Sequence, residues 1–139
     1  MTTGGQVAGL PAPLLITERA AMPTRTSVHG TITDSGAVIK YGTYRWHYGG
    51  IVNPRFKIKD RWHSYGWADK KFYVALRNTA GVRVVNTLTF YPGEDYTEKT
   101  FSPIGGGILP TQQVALNVQS ESYGPARGVV NWTGELYLG

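Results

Sequence analysis

The clearest fold signal in the sequence is KFYVALRNTAGVRVVNTLTF, residues 71–90. In its first half Phe72, Val74 and Leu76 share one face, and the residues between them share the other. The four residues 78–81 contain turn formers, and residues 82–90 continue as a second β-rich segment. Period-two alternation on both sides of a short turn predicts an antiparallel hairpin.

Two further strands are predicted before this hairpin. Residues 28–33 alternate apolar and polar side chains and end at turn residues 34–36. Residues 37–48 form a second predicted strand, which Gly49 and Gly50 end. Its predicted faces are Tyr44, Trp46 and Tyr48 on one side and Arg45 and His47 on the other.

The C-terminal part of the chain continues the pattern. Residues 113–119 alternate, and the last strand, over residues 130–138, carries a predicted bulge at Gly134. The connections over residues 91–96 and 101–110 are longer and contain Pro and Gly, as expected where a chain crosses between sheets. Short strands separated by turns predict an all-β, antiparallel β-sandwich of about seven to nine strands, either Ig-like or jelly-roll.

The size and composition of the chain fit one domain. A chain of 139 residues is long enough to bury a single core without a disulfide or a metal. The absence of cysteine excludes a disulfide framework, a zinc–thiolate site and a cysteine nucleophile. We therefore predict one sandwich domain over residues 26–139.

Residues 1–25 have a different composition, with Gly and Pro throughout. Proline fixes φ and removes an amide donor, so we expect an extended N-terminal arm that lies against its own sheet or a neighbouring subunit. The predicted contact residues of the arm are Leu10, Leu14, Leu15 and Ile16. The sequence has neither an 18-residue apolar run nor a signal-peptide pattern, so we expect a soluble protein that has no contact with a membrane.

Basic and aromatic residues concentrate in the middle of the chain. Residues 40–83 hold ten of the fourteen Lys and Arg residues and ten of the seventeen aromatic residues. Interleaved cations and rings suit a single-stranded nucleic acid groove. The alternating pattern favours the other interpretation, in which the rings form the core and the cations a solvated face. We therefore expect no nucleic acid partner.

The segment of residues 60–69 is the densest in rings and polar groups and does not alternate cleanly. We predict a loop that binds through its aromatic and basic side chains, which are Arg61, Trp62, His63, Tyr65 and Trp67. Trp, Tyr and Arg are the residues enriched at protein interfaces, and exposed rings also stack on sugars. A third interpretation places one or two of the rings as a plug at the end of the core.

No local pattern of catalytic or metal-binding residues is present. His29, His47 and His63 have no ligand-like spacing, and Ser64 is not in a Gly-x-Ser-x-Gly elbow. Glycines 105–107 lack the Lys and Ser or Thr of a phosphate-binding loop. We predict a protein that is not an enzyme and that binds neither a cofactor nor a metal.

These observations lead to one functional hypothesis and one alternative. The chain is expected to be a structural subunit that binds other protein subunits, its own copies or other neighbours, in a larger assembly. A virus or phage particle accessory protein, such as a capsid decoration or tail protein located in the virion, is the concrete form of this hypothesis. The alternative is a carbohydrate-binding module or lectin whose aromatic loop binds a glycan.

Overall fold

The computed structural model describes residues 24–50, 52–124 and 127–139. Within these ranges it contains nine strands and no helix, and therefore no helix that could cross a bilayer. The strands are β1 (Thr24–Thr33), β2 (Ile39–Lys40), β3 (Arg45–His47), β4 (Arg55–His63), β5 (Phe72–Arg77), β6 (Leu88–Phe90), β7 (Glu98–Thr100), β8 (Gln112–Ser120) and β9 (Val129–Leu138). The all-β prediction is confirmed.

The strands form two antiparallel sheets. One sheet has the order β1–β9–β4–β7, and the other has the order β2–β8–β5–β6, with β3 also paired to β8. The pairings are nested: β1 with β9, β2 and β3 with β8, β4 with β7, and β5 with β6. One long antiparallel ribbon folded over on itself produces this nesting, which is the jelly-roll form of a sandwich. Both predicted crossings, over residues 91–96 and 101–110, join one sheet to the other.

Trp132 of β9 lies in the core between the two sheets. Its ring contacts those of Tyr41, Phe56 and Phe72 at centroid distances of 5.8, 5.9 and 5.8 Å. Its indole N–H donates a hydrogen bond to the hydroxyl of Tyr41 at 3.2 Å, so this polar group is buried without losing a partner. Every second residue of β9 is buried, because successive side chains of a strand point to opposite faces.

The predicted continuous strand over residues 37–48 is wrong. The chain forms β2, leaves the ladder, and returns as β3. The Arg77 guanidinium occupies the interruption, where it donates to the carbonyl of Tyr41 at 2.6 Å and to the carbonyl of Leu116 at 3.0 Å. The interruption also reverses the predicted faces, so His47 is buried and Trp46 is half exposed.

The predicted hairpin is confirmed in its first strand and in the pairing of its ends. Phe72 of β5 lies opposite Phe90 of β6. Residues 82–87, predicted as strand, make only isolated bridges, one of which joins Val85 to Pro103. Val85 is fully buried, and the backbone beside it pairs with another part of the chain: the amide of Asn86 donates to the carbonyl of Ser102, and the amide of Ile104 donates to the carbonyl of Val84.

The predicted bulge lies on the neighbouring strand. The register shifts within β4 between Ile58 and Asp60, directly opposite Gly134 of β9, which itself stays regular. A Cβ at Gly134 would lie 2.6 Å from the carbonyl oxygen of Lys57, so glycine allows the close approach of the two backbones. At the other boundary, Thr24 and Arg25, which the sequence placed in the arm, are the first residues of β1.

Candidate functional site

Four connections meet at one end of the sandwich, here called the aromatic end. They are residues 34–38, 64–71, 91–97 and 121–128, as far as they are described. Strands β1, β4, β6 and β8 end here, and β5, β7 and β9 begin here. Hydrogen bonds join these connections across the two sheets, for example from the amide of Tyr123 to the carbonyl of Asp34 at 2.9 Å.

The predicted loop over residues 60–69 is wrong in its first part, because residues up to His63 belong to β4. Arg61 and His63 point inward and are buried, whereas Trp62 points outward and is 47% exposed. The bulge between Ile58 and Asp60 disrupts the alternation, which is why the sequence did not reveal this strand. The five predicted residues are thus divided between the core, the outer face of a sheet, and the loop that holds Tyr65 and Trp67.

A buried Asp–His pair organises the aromatic end. His63 Nε2 and Asp34 Oδ2 are 2.8 Å apart, and both side chains are fully shielded from solvent. The amide of Tyr65 donates to His63 Nδ1 at 3.1 Å, so that nitrogen is an acceptor and the proton of the neutral imidazole lies on Nε2. His63 therefore donates to Asp34 through Nε2 and has no free nitrogen to act as a base.

Asp34 also fixes the β8–β9 connection. Its carboxylate accepts hydrogen bonds from the amides of Arg127 and Gly128, both at 3.2 Å. The hydrogen bond from His63 and these backbone donors hold the pKa of Asp34 below its ordinary value. One carboxylate thus ties together the β1–β2 turn, the end of β4 and the β8–β9 connection.

Three aromatic rings surround His63. Trp67 stacks on the imidazole with ring centroids 4.6 Å apart and planes 12° apart, and Tyr123 lies 4.5 Å from it. Tyr65 contacts both His63 and Trp67 at 5.6 Å. We call Tyr65, Trp67 and Tyr123 the aromatic cluster. Tyr65 and Trp67 remain 58% and 46% exposed, so the cluster is fixed from beneath and open to solvent above.

The sequence did not identify Tyr123 or Asp34 as site residues. Asp34 is 29 residues from His63, and Tyr123 enters from the β8–β9 connection. From the sequence, Asp34 is predicted only as a turn residue after the first strand. No spacing pattern marks either residue, because Asp34 reaches His63 from the end of β1, two strands away in the same sheet, and Tyr123 reaches it from the β8–β9 connection.

Arg61 is a buried cation that serves the backbone. Its guanidinium donates to the carbonyl oxygens of Lys70 and Tyr91 at 3.1 and 2.6 Å. The carboxylate of Asp95 lies 3.2 Å from Nε, and burial raises the pKa of Asp95, an effect that Arg61 opposes. Arg61 therefore holds two loops of the aromatic end together and is not exposed for binding.

The basic residues are divided among different surfaces. Lys57 and Lys59 lie with Glu135 on the outer face of the first sheet, at 3.4 and 3.8 Å. At the aromatic end, the ammonium groups of Lys70 and Lys71 lie over tyrosine rings, those of Tyr123 and Tyr91 respectively. The cations of the described residues thus form no single stripe along one groove.

The other predicted chemistry can also be located. Ser64 Oγ accepts a hydrogen bond from the amide of Val129 at 3.1 Å. Within the described ranges, no group of three or more His, Asp or Glu side chains is arranged to hold a metal ion. The predicted arm contacts Leu10, Leu14, Leu15 and Ile16 lie outside the described residues.

Comparison with known proteins identifies no relative. No protein-family model matches the sequence, and neither the curated proteins nor the solved structures include a match.

Proposed function

We propose that this chain is a non-catalytic structural subunit that binds copies of itself and other protein neighbours in a larger assembly, through its aromatic end. The observation that carries this proposal is the aromatic cluster, held in place by the buried Asp34–His63 pair. A virus or phage particle accessory protein, a capsid decoration or tail protein, is the concrete form that we favour.

The arrangement of the cluster suits protein recognition. Tyr and Trp are the residues most enriched at interface hot spots. Because stacking on His63 already fixes Trp67, little side-chain entropy remains to be lost when a partner binds. Lys70 beside Tyr123 adds a cation at the edge of the surface, where it can steer an acidic partner.

The fold supports the proposal only by analogy. Jelly-roll sandwiches occur in viral capsid proteins and in lectins. Because one fold hosts many functions, the aromatic cluster supports the proposed function and the jelly-roll fold alone does not.

Sedimentation velocity of the full chain over a range of concentrations tests the proposal. We expect reversible association that Trp67→Ala weakens about tenfold or more, the effect of losing one interface hot spot. Trp62→Ala is the matched control, because Trp62 has nearly the same exposure but lies on the outer face of the sheet. A chain that stays monomeric at every concentration, or equal effects of the two variants, would contradict the proposal.

The alternative function is carbohydrate binding. It is favoured by one observation: Trp67 is stacked on His63 through one face of its ring while 46% of the residue stays exposed, as a sugar-stacking platform requires. A glycan array probed with the full chain and with Trp67→Ala distinguishes the two functions. Glycan binding that depends on Trp67 would replace the assembly proposal, and a flat array would remove the alternative.

A further inference from the structure

Among the described residues, β1 is a long edge strand that has a paired strand on one side and none on the other. It has ten residues, whereas the other edge strands within the described ranges, β2, β3, β6 and β7, have two or three each. Short edge strands are a common protection against pairing with another chain, and a long one offers a row of free backbone groups.

The hydrogen-bond pattern shows which groups are free. The amide of Asp34 donates to the carbonyl of Gly128, next to the last β1–β9 pair, so the even-numbered residues of β1 bond to β9. The amide of Ser64 donates to the carbonyl of Val129, so the odd-numbered residues of β9 bond to β4. The even-numbered residues of β9 therefore bond to β1, in agreement with the first hydrogen bond. The odd-numbered residues of β1, among them Ser27 and His29, therefore turn their N–H and C=O groups toward the free edge.

A groove of about 230 Å³ runs along this edge. Its lining consists of Ser27, Val28 and His29 of β1, of Tyr41, Thr43 and Arg45, and of the buried Leu116 and Trp132. Neither Arg45 nor His29 has an ion-pair partner among the described residues. The groove thus combines free backbone groups, apolar lining residues and an uncompensated cation.

We propose that residues 14–18 of one copy of this chain bind as an added strand to the β1 edge of a second copy. This inference rests on the proposed function and names the contact through which the arm joins two subunits. Leu14, Ile16 and Glu18 alternate along the segment and so share one face of an extended strand. Leu14 and Ile16 then enter the groove, and Glu18 meets Arg45.

The sequence between the arm and β1 favours a second copy over the same copy. A return along its own β1 edge needs a hairpin loop within residues 19–23, Arg-Ala-Ala-Met-Pro, which contain none of the Gly, Asn or Asp residues that are enriched in hairpin turns. Pro23 also restricts the residue before it to extended conformations. An extended chain from Ile16 to Thr24 spans about 26 Å, roughly five times the spacing between neighbouring strands, so the segment is long enough to leave its own sheet.

Cross-linking of the full chain tests this contact. The sequence has no cysteine, so Thr17→Cys and Ser27→Cys can each carry a single reactive group. When the two variants are mixed and treated with a short bis-maleimide, we expect a cross-linked dimer at roughly tenfold the yield obtained when Thr100→Cys replaces Ser27→Cys. Thr100 is the matched control, because it is exposed and lies on β7, the opposite edge of the same sheet.

The outcomes separate this contact from the proposed function. If the chain associates but the mixed variants cross-link no better than the control, the contact is wrong and the assembly function stands. A double variant that carries Thr17→Cys and Ser27→Cys in the same chain gives the second outcome. If only this variant cross-links, and only within one chain, the arm binds its own edge and the contact between copies is wrong. If the chain does not associate, both proposals are wrong.

Two variants then test the chemistry of the groove. The first variant is tested on the cross-link between Thr17→Cys of one copy and His29→Cys of the other. Ser27→Pro should abolish this cross-link, because proline removes a backbone donor at the edge of β1 without removing a β1–β9 hydrogen bond. Ser27→Ala keeps that donor and should keep the cross-link. Glu18→Arg should lower the yield about tenfold, and Arg45→Glu in the partner should restore it. A yield that Glu18→Arg leaves unchanged, or a loss that Arg45→Glu does not restore, would overturn the pairing of Glu18 with Arg45.

Discussion

The two ends of the sandwich each contain a buried histidine, but in different surroundings. At the aromatic end, both nitrogens of His63 have partners and the histidine links loops from both sheets. At the opposite end, His47 Nε2 bonds to the carbonyl of Leu109 at 2.9 Å, and Nδ1 has no hydrogen-bond partner among the described residues.

The surfaces above the two histidines differ as well. Trp67 and Tyr65 lie against the His63 ring, which holds them in place. The connection over residues 101–111 contains three consecutive glycines with positive φ, and the half-exposed Ile104 and Ile108 flank them. We call this end the glycine end. Among the described residues, the exposed rings of the aromatic end rest on a histidine whose two nitrogens are both hydrogen-bonded, whereas the histidine below the glycine end has one hydrogen bond. A surface that is already held in place favours specific binding.

The largest effect is expected from removing the histidine of the aromatic end. His63→Ala removes the side-chain donor to the buried Asp34 carboxylate, which keeps its two backbone amide donors, and leaves the amide of Tyr65 without its acceptor. Losing a hydrogen-bond partner at a buried polar group typically costs about 1–3 kcal/mol of unfolding free energy, and the cavity left by the imidazole adds to that loss. Urea unfolding at neutral pH measures it, with the neighbouring Trp62→Ala as control. A loss no greater than that of the control would show that the pair does not organise this end.

The two ends should also lose stability in different pH ranges. Burial lowers the pKa of His47 below its ordinary value of 6.5, so the unfolded chain binds more protons than the folded chain as pH falls through that value. Unfolding free energy should then fall with a slope of at most about 1.4 kcal/mol per pH unit. The pKa of Asp34 is lowered below 3.8, so its contribution is complete above that pH and is lost in more acidic solution.

Single variants separate these two ranges. His47→Leu should flatten the pH dependence between about pH 7 and 5, and Asp34→Asn should reduce the loss below about pH 4. Glu94 and Glu98 also have lowered pKa values, held by Lys99 and Arg25, so the acid loss should shrink and not disappear. Urea unfolding across the pH range measures both effects. An unchanged slope in His47→Leu would contradict the assignment.

The smallest effect is expected at the surface of the glycine end. Ile104 and Ile108 are 50% and 45% exposed, so changing either to Ser should alter unfolding free energy by no more than about 0.5 kcal/mol. The same variants should leave association unchanged, since the proposed contacts lie at the aromatic end and at β1. Thermal unfolding and sedimentation check both points. Weaker association of the Ile108→Ser variant would contradict the proposal, because it would place a contact between subunits at the glycine end.

The sequence predicted strands where one regular face enters the core. The apolar residues at every second position of β5, β8 and β9 all lie in the core, and the positions of these strands were predicted correctly to within one residue at each end. β4 was missed because its bulge breaks the period of two. β7 was missed because its three residues carry no apolar side chain and its pairing with β4 sets its place.

The candidate site was predicted only in part, for a related reason. The density of rings in residues 60–69 pointed to Tyr65 and Trp67, which do lie together. A high density of aromatic residues does not show which side of the chain each side chain faces. The prediction therefore grouped Trp62 and Arg61 with them, although Trp62 points outward and Arg61 points inward. Asp34 and Tyr123 complete the site through contacts between distant parts of the chain, which only the closed sandwich reveals.

Hydrogen exchange of the associated chain, compared with the dilute chain, tests the central claim most directly, since it shows which end becomes protected. The account predicts slower exchange on association at the amides of residues 65–71 and at the free-edge amides of Ser27 and His29. It also predicts no change at residues 104–109. Protection confined to residues 104–109, or no association-dependent protection of residues 65–71, would contradict the claim that the aromatic end is the binding surface.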